Sequence, residues 1–223
     1  MSELYHYGVG HLNGGHSGRY PWGSGEKGNN PHNLAAIIFE KAKAKEPGIT
    51  RDVKKAARFA NSKMYGLEHR LKTKQSIERK IKTDSLEKAI TNKDAADSIK
   101  DAVRYTTISN DSNFVKGYEI FKSVLEEAGY SEVRCKNYFE LYREGQVKHK
   151  SVQSVFKDKD GYSFEVQFQT PASQRAKDLK IPIYEERRKP GLTRERQIEL
   201  ERQMEELAEQ VPYPVNIKRI KSH

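Results

Sequence analysis

An α+β fold is what this sequence predicts: helices first, a mixed β-sheet behind them, and a strongly charged helix near the C-terminus. Three observations carry that prediction. Apolar residues recur at helical spacing from residue 33 to about residue 90, and again from 194 to 211. At Ala102 the pattern switches to β-branched and aromatic runs that read as a strand, a helix and then three strands. The last of these strands, within Gly161–Thr170, alternates Phe164, Val166 and Phe168 with Glu165, Gln167 and Gln169, the period of a half-buried strand.

Residues 1–32 are Gly-rich, without apolar periodicity, and form a flexible segment too poor in burial to repay its backbone entropy. Within it His6, His11 and His16 recur every five residues, a spacing that shares no helix face. A domain over 33–190 follows. Its first helix begins at Asn33 with Leu34, Ile37 and Ile38 on one side and is expected to end before Pro47-Gly48. Thr50 then caps a second helix, with Val53, Ala56, Ala57, Ala60, Met64 and Leu67 as its apolar face. This helix is expected to continue, or kink at Gly66, into a cationic stretch from Arg70 to Lys82, and Leu86, Ala89 and Ile90 mark a further short helix.

Asp101 stands at the start of a strand over 102–108. Phe114, Tyr118, Phe121 and Leu125 define a helix that stops at Gly129. A second strand covers 132–139, a polar loop surrounds Gly145, and a third strand over 151–156 joins the Ser163–Gln169 strand through the turn at Asp158–Gly161. Pro171 closes that strand, a short helix spans 172–179, and residues 184–188 are expected to close over the sheet. The remainder, 191–223, is a charged helix capped by Thr193 and a basic tail from Ile217, the tail expected to be disordered. Ile198, Leu200, Met204 and Leu207 are the helix's large apolar positions, which suit either the domain surface or a partner helix across 193–211.

Charge narrows the function classes. Forty-one Lys and Arg against 31 Asp and Glu leave a net charge of +10 and a pI near 9.4, which favours a polyanionic partner, although mixed charge also serves solubility. A hydrophobic content of 35% and a mean hydropathy of −0.91 leave no membrane span, and a cytoplasmic setting is expected. Cys135, the single cysteine, excludes a disulfide framework and a cysteine-based zinc site and reads as a packed thiol.

Four motifs then fall in order: Arg70-x-Lys72-x-x-x-Ser76-Ile77-x-Arg79-Lys80, Asp101, His149-Lys150-Ser151-Val152-Gln153, and Glu165-x-Gln167-x-x-Thr170. Over roughly residues 50 to 188 this order resembles the synthetase domain of the RelA/SpoT alarmone enzymes. The resemblance implies a nucleotidyltransferase-like fold, ATP as pyrophosphate donor and Mg²⁺ as cofactor. It implies that Arg70, Lys72, Lys80 and Arg79 serve the ATP phosphates and adenine, and that Asp101 binds Mg²⁺. Glu165 would orient the acceptor hydroxyl and also touch the metal, beside the amide of Gln167, while His149, Lys150 and Ser151 would form the acceptor loop.

The departures are informative. His149 replaces the family's base-stacking aromatic residue, Gln153 its loop histidine, Gln169 the Arg of its Glu-x-Gln-x-Arg-Thr, and Thr106 a further Arg. No His-Asp doublet of the family's hydrolase half is present, so the chain is similar to the small stand-alone synthetases and their toxic relatives. Lys148, Lys150, Lys157, Lys159, Arg187, Arg188 and Lys189 are expected to flank the cleft, which favours a tRNA end over a free nucleotide as acceptor. The competing reading is a non-catalytic, basic RNA- or protein-binding module on a degenerate synthetase fold. Separately, Tyr7-Gly-Val-Gly-His11 followed by Arg19-Tyr-Pro-Trp-Gly-Ser-Gly25 resembles N-terminal segments of tailed-phage head proteins, which implies docking to a phage structural protein and a place in the virion.

Overall fold

Five strands and seven α-helices make up the described part of the chain, residues 29–147 and 149–223 of a computed structural model. The strands are β1 (Lys63–Tyr65), β2 (Arg104–Ile108), β3 (Ser131–Asn137), β4 (Val152–Lys157) and β5 (Ser163–Gln169). The helices are α1 (Pro31–Phe59), α2 (Lys74–Glu87), α3 (Asn92–Asp97), α4 (Phe114–Glu127), α5 (Tyr138–Arg143), α6 (Pro171–Arg187) and α7 (Arg194–Glu209). Two compact units divide these residues, one of 29–45 and 72–102, the other of 46–71 and 103–223. The histidines at 6, 11 and 16 and the phage-like segment lie outside the described residues.

All five strands belong to the second unit and form one mixed sheet of order β1-β2-β5-β4-β3. Only the β2–β5 pair is parallel, placing Arg104 opposite Glu165 and Thr106 opposite Gln167. The other three pairs are antiparallel, and the β4–β5 hairpin closes through Gly161, whose φ of +83° suits glycine. The α+β architecture with a mixed sheet is therefore as the sequence predicts.

β5 is more deeply placed than its alternation suggests. Phe164, Val166 and Phe168 pack on one face, where Tyr118 and Phe121 of α4 set their rings edge-on to Phe168 at 5.0 and 5.1 Å. The polar face is covered too: Glu165, Gln167 and Gln169 are only 7%, 5% and 3% exposed, since α6 lies over them. A half-buried strand thus becomes a fully buried one with a polar side that must be hydrogen-bonded.

Three expectations are corrected. α1 does not stop before Pro47-Gly48 but runs through it, and Thr50 is an interior residue whose hydroxyl meets Glu46 and, at 2.7 Å, Tyr105. One buried stripe (Ala35, Ala42, Ile49, Val53, Ala56, Ala60) crosses the proline, whose own ring is exposed. Beyond Phe59 the chain forms β1 and a 3₁₀ turn at Leu67–His69, not a continued helix, and Gly66 takes a left-handed φ of +59° there. Lastly, the basic tail is ordered. Ile217 and Ile220 are buried, Asn137 donates to both of their carbonyls, and the His223 backbone exchanges two hydrogen bonds with Cys135.

Smaller differences concern boundaries. Residues 138 and 139 turn into α5 because Asn137 caps it by accepting from the amides of Phe139 and Glu140. α6 continues past 179 through Pro182 to Arg187, absorbing the stretch expected to close over the sheet.

Candidate functional site

In the second unit the chemistry gathers on the polar face of β5. Gln167 sits at its centre, donating from Nε2 to Glu165 Oε1 at 2.7 Å and accepting at Oε1 from Lys177 Nζ at 2.7 Å. That orients the amide and leaves Glu165 an acceptor fixed on a strand with neighbours on both sides. Gln169 accepts from Ser173 Oγ at 2.6 Å, and Ser173 and Thr170 form the capping box that starts α6. The cap fixes α6 over the strand and brings Lys177 and Lys180, one turn apart, toward the same face.

A cavity of about 150 Å³ opens here, lined by His149, Lys150, Ser151, Gln153, Gln167, Gln169, Lys177 and Lys180, with Ala208 and Val211 from the end of α7. Cations dominate it. Burial pushes the Lys177 and Lys180 ammonium groups down to about 8, helped by the charge of Arg104 for the first and of Lys150 for the second. His149 keeps an exposed edge at the rim, its ring 4.1 Å from that of Tyr138. Desolvation by the surrounding protein, then the charges of Lys180 and Lys177, hold its pKa down to about 4, so it is neutral at pH 7.

The loop expected to hold the acceptor divides its labour. Lys150 is turned to structural use: Nζ donates to the Val211 carbonyl at 2.7 Å and lies 4.5 Å from the rings of both Tyr142 and Tyr213. Ser151, 1% exposed, has no partner for its Oγ, an unsatisfied hydroxyl on the cavity wall.

Arg70, also in the second unit, is held by Glu46 and by the Leu67 carbonyl at 2.8 Å, and this guanidinium keeps the Glu46 carboxyl below its usual range. The first unit carries the rest of the expected donor side. Lys72 Nζ lies 2.6 Å from Asp101 Oδ2, so the expected phosphate cation and the expected metal ligand are an ion pair. On α2, Ile77 and Ile81 are buried, Arg79 is exposed, and Lys80 lies 3.7 Å from Asp84.

Of the cations expected around the cleft, Lys157 closes β4 at the end opposite Ser151, a separation of about 20 Å at strand rise, and Lys159 lies in the turn beyond. Arg187 pairs with Glu201, and Arg188 lies over Tyr184. Lys148 lies outside the described residues. Sequence reasoning missed Arg104, Lys177 and Lys180. Arg104 was legible two residues before Thr106, on the same strand face. The two lysines carried a helical i, i+3 spacing after Pro171, but which way that helix would turn was not visible.

Asp101 and Glu165 are hard oxygen donors of the kind Mg²⁺ prefers, and Mg²⁺ completes its octahedron with water and substrate phosphate when a protein supplies one or two carboxylates. Among the described residues no cluster of three or more His, Cys, Asp or Glu forms a self-contained metal cage. The donor chemistry therefore fits a metal that arrives with a phosphate substrate.

No protein-family model and no curated protein matches the chain. Solved structures do. The small alarmone synthetase 2 from Bacillus subtilis matches with a TM-score of 0.50 at 14% identity, over 79% of this chain and 89% of that one. The small alarmone synthetase 1 from the same organism, bound to its product pppGpp, gives 0.45 at 15% identity over 84% and 92%. The Type VI effector Tas1, in complex with its immunity protein, gives 0.41 at 15% identity over 83% and 98%. The mixed α+β fold of this chain is that of the small alarmone synthetases.

Proposed function

We propose that this chain is a Mg²⁺-dependent pyrophosphotransferase that moves a pyrophosphoryl group from ATP to the 3′-hydroxyl of a ribose, on a nucleotide or a tRNA end. The observation that carries the reading is Glu165. It is a buried carboxylate on the central strand, oriented by Gln167 and next to an open, cation-lined cavity. A carboxylate so held can accept the hydroxyl proton's hydrogen bond and aim the oxygen. The acceptor oxygen attacks the β-phosphorus of ATP, the bond from that phosphorus to the α,β-bridging oxygen breaks, and AMP leaves.

Arg70, Lys72, Arg79 and Lys80 supply the donor side with charge for a triphosphate. Glu165 in the second unit and, as the resemblance implies, Asp101 in the first would each offer a carboxylate to Mg²⁺, which when bound neutralises developing charge on the phosphates. The substituted acceptor loop and the net charge of +10 favour an effector of the toxic kind.

A second reading draws on the ion pairs of Arg70 with Glu46 and of Lys72 with Asp101. Cations already neutralised by carboxylates suit a degenerate, non-catalytic module that binds RNA or protein through its remaining charge. Label separates the two. With ATP labelled in its β-phosphate, Mg²⁺ and a panel of nucleotides and bulk tRNA, the wild-type chain should transfer label, and Glu165→Gln and Asp101→Asn should each slow transfer at least a hundredfold. Transfer at wild-type rate by both variants would remove the site assignment. Absence of transfer, with RNA binding indifferent to Mg²⁺ and ATP, would establish the second reading.

A further inference from the structure

We infer that the C-terminal strap, residues 211–223, positions the 149–151 loop beside the cavity, with Tyr213 and Asn137 as its two positioning residues. The consequence for transfer rests on the pyrophosphotransfer reading and goes beyond it by giving the strap a part in that reaction. The strap is built to stay down. Val211, Pro214, Ile217 and Ile220 are buried, one residue in three, so one side of the segment faces the protein. The 3₁₀ turn Ile217–Arg219 keeps that side inward, its period being three residues. At the end of the strap the His223 backbone pairs with Cys135 on β3, and the Ser222 hydroxyl accepts from the Asn137 amide at 2.9 Å.

Two routes lead from the strap to the loop. The direct one runs through Lys150. Val211, which lines the cavity, gives its carbonyl to Lys150 Nζ at 2.7 Å. The Tyr213 ring lies 4.5 Å from that nitrogen and 4.5 Å from the Arg143 guanidinium carbon, so one ring attracts two cations. The other route runs through α5. Asn137 donates to the Ile217 and Ile220 carbonyls and caps α5 by accepting from Phe139 and Glu140. Within α5, the Tyr138 amide donates to the Ser151 carbonyl at 2.9 Å and the Tyr138 ring stands 4.1 Å from that of His149. Tyr142, one turn on, lies 4.5 Å from the Lys150 ammonium.

Every residue of the loop is thereby held: His149 by a ring, Lys150 by the strap, Ser151 by its carbonyl. His149 and Ser151 line the cavity, while Lys150 between them spends its ammonium on the strap. An anchor between two lining residues sets where both of them stand, and a displacement of about 1 Å at a site costs affinity and rate. Tyr213 remains 36% exposed, so removing its ring loosens the anchor without opening the core.

Three variants of the full chain test this. Tyr213→Leu takes the ring from Lys150, Tyr213→Phe keeps it, and Lys150→Met breaks the bond to Val211 by a separate change. Circular dichroism melting identifies the folded variants, and failure of both Tyr213→Leu and Lys150→Met to fold would make the strap a folding element only and overturn the inference. Amide hydrogen exchange is read first. In Tyr213→Leu and Lys150→Met the peptide spanning 147–151 should exchange at least tenfold faster while the 163–169 peptide stays at the wild-type rate, and Tyr213→Phe should match wild type in both. Unchanged exchange of the loop, equal acceleration of both peptides, or equal acceleration by Tyr213→Phe overturns the inference.

Transfer is read second, with β-labelled ATP, Mg²⁺ and whichever of the nucleoside 5′-diphosphates and bulk tRNA the wild-type chain labels fastest. KM for that acceptor should rise at least fivefold in Tyr213→Leu, with KM for ATP within twofold of wild type and Tyr213→Phe equal to wild type in both. Unchanged constants in a variant whose loop has loosened overturn the positioning role and leave pyrophosphotransfer intact. A wild-type chain that labels no acceptor overturns the transferase reading instead, and the exchange result alone then decides for or against the strap.

Discussion

Asn137, buried, and Lys180, partly buried, illustrate opposite uses of a polar group withdrawn from water. Asn137 satisfies four backbone groups at once, accepting from Phe139 and Glu140 and donating to the carbonyls of Ile217 and Ile220. Asn137→Ala removes a cap worth about 1 kcal/mol and strands two buried carbonyls, so a loss of about 2–4 kcal/mol in denaturant unfolding is expected. Lys180 instead costs stability. Its pKa is lowered from the ordinary lysine value to about 8 by burial and by Lys150, so the folded state holds its proton less tightly than the unfolded chain does. The unfolded state therefore binds more protons between about pH 8 and pH 10.5, and stability contributed by this group rises with pH across that window. Lys180→Met should melt higher than wild type at pH 7, by on the order of 2–4 °C, with the gain shrinking as pH is raised to 10. An unchanged melting temperature at both pH values would show that Lys180 is not under strain. A stabilising substitution that also slows the proposed transfer would mark it as a residue kept for function.

Helices and strands differ in how openly the sequence announces them. Helix α1 hides its continuity behind Pro47-Gly48, a pair that ordinarily breaks helices, yet its buried stripe keeps helical spacing across the pair. Both residues are exposed, and nothing lies within 4 Å of where a Gly48 β-carbon would stand. Gly48→Ala should accordingly stabilise the protein by about 1 kcal/mol, read by thermal or urea unfolding. The β4–β5 hairpin, helix α4 and the capped helix α7 were legible because period, turn residues and caps are local signals. Glu165 and Gln167 were legible for the same reason, lying on a strand with an unusual polar face. The cavity was not, because it depends on which face of α6 meets that strand and on where Lys150 spends its charge. Nor was the ordered tail. Its composition is basic, but Ile217 and Ile220 are three residues apart and buried, and the partners that hold its backbone lie on β3 some 80 positions earlier. Deleting residues 217–223 should lower stability and make the buried thiol of Cys135 react with a disulfide reagent at least tenfold faster.

At the scale of the whole chain, net charge and topology act independently. A charge of +10 draws any polyanion, so weak binding to arbitrary RNA is expected to fall at least tenfold between 50 and 200 mM salt. The proposed pyrophosphoryl transfer, which depends on the buried Glu165, should change far less over that range. Topology puts the chemistry on the most enclosed strand. β5 is laddered to β2 on one side and β4 on the other, whereas β1 and β3 are the sheet's edges. Amide hydrogen exchange should record that difference: protons of Val166, Gln167 and Phe168 should leave only when the entire second unit opens, while those of the three-residue β1 leave through local fraying. Deuterium uptake in the 163–169 peptide then becomes a clock for global unfolding, and the carboxylate of Glu165 keeps its aim for as long as the sheet exists.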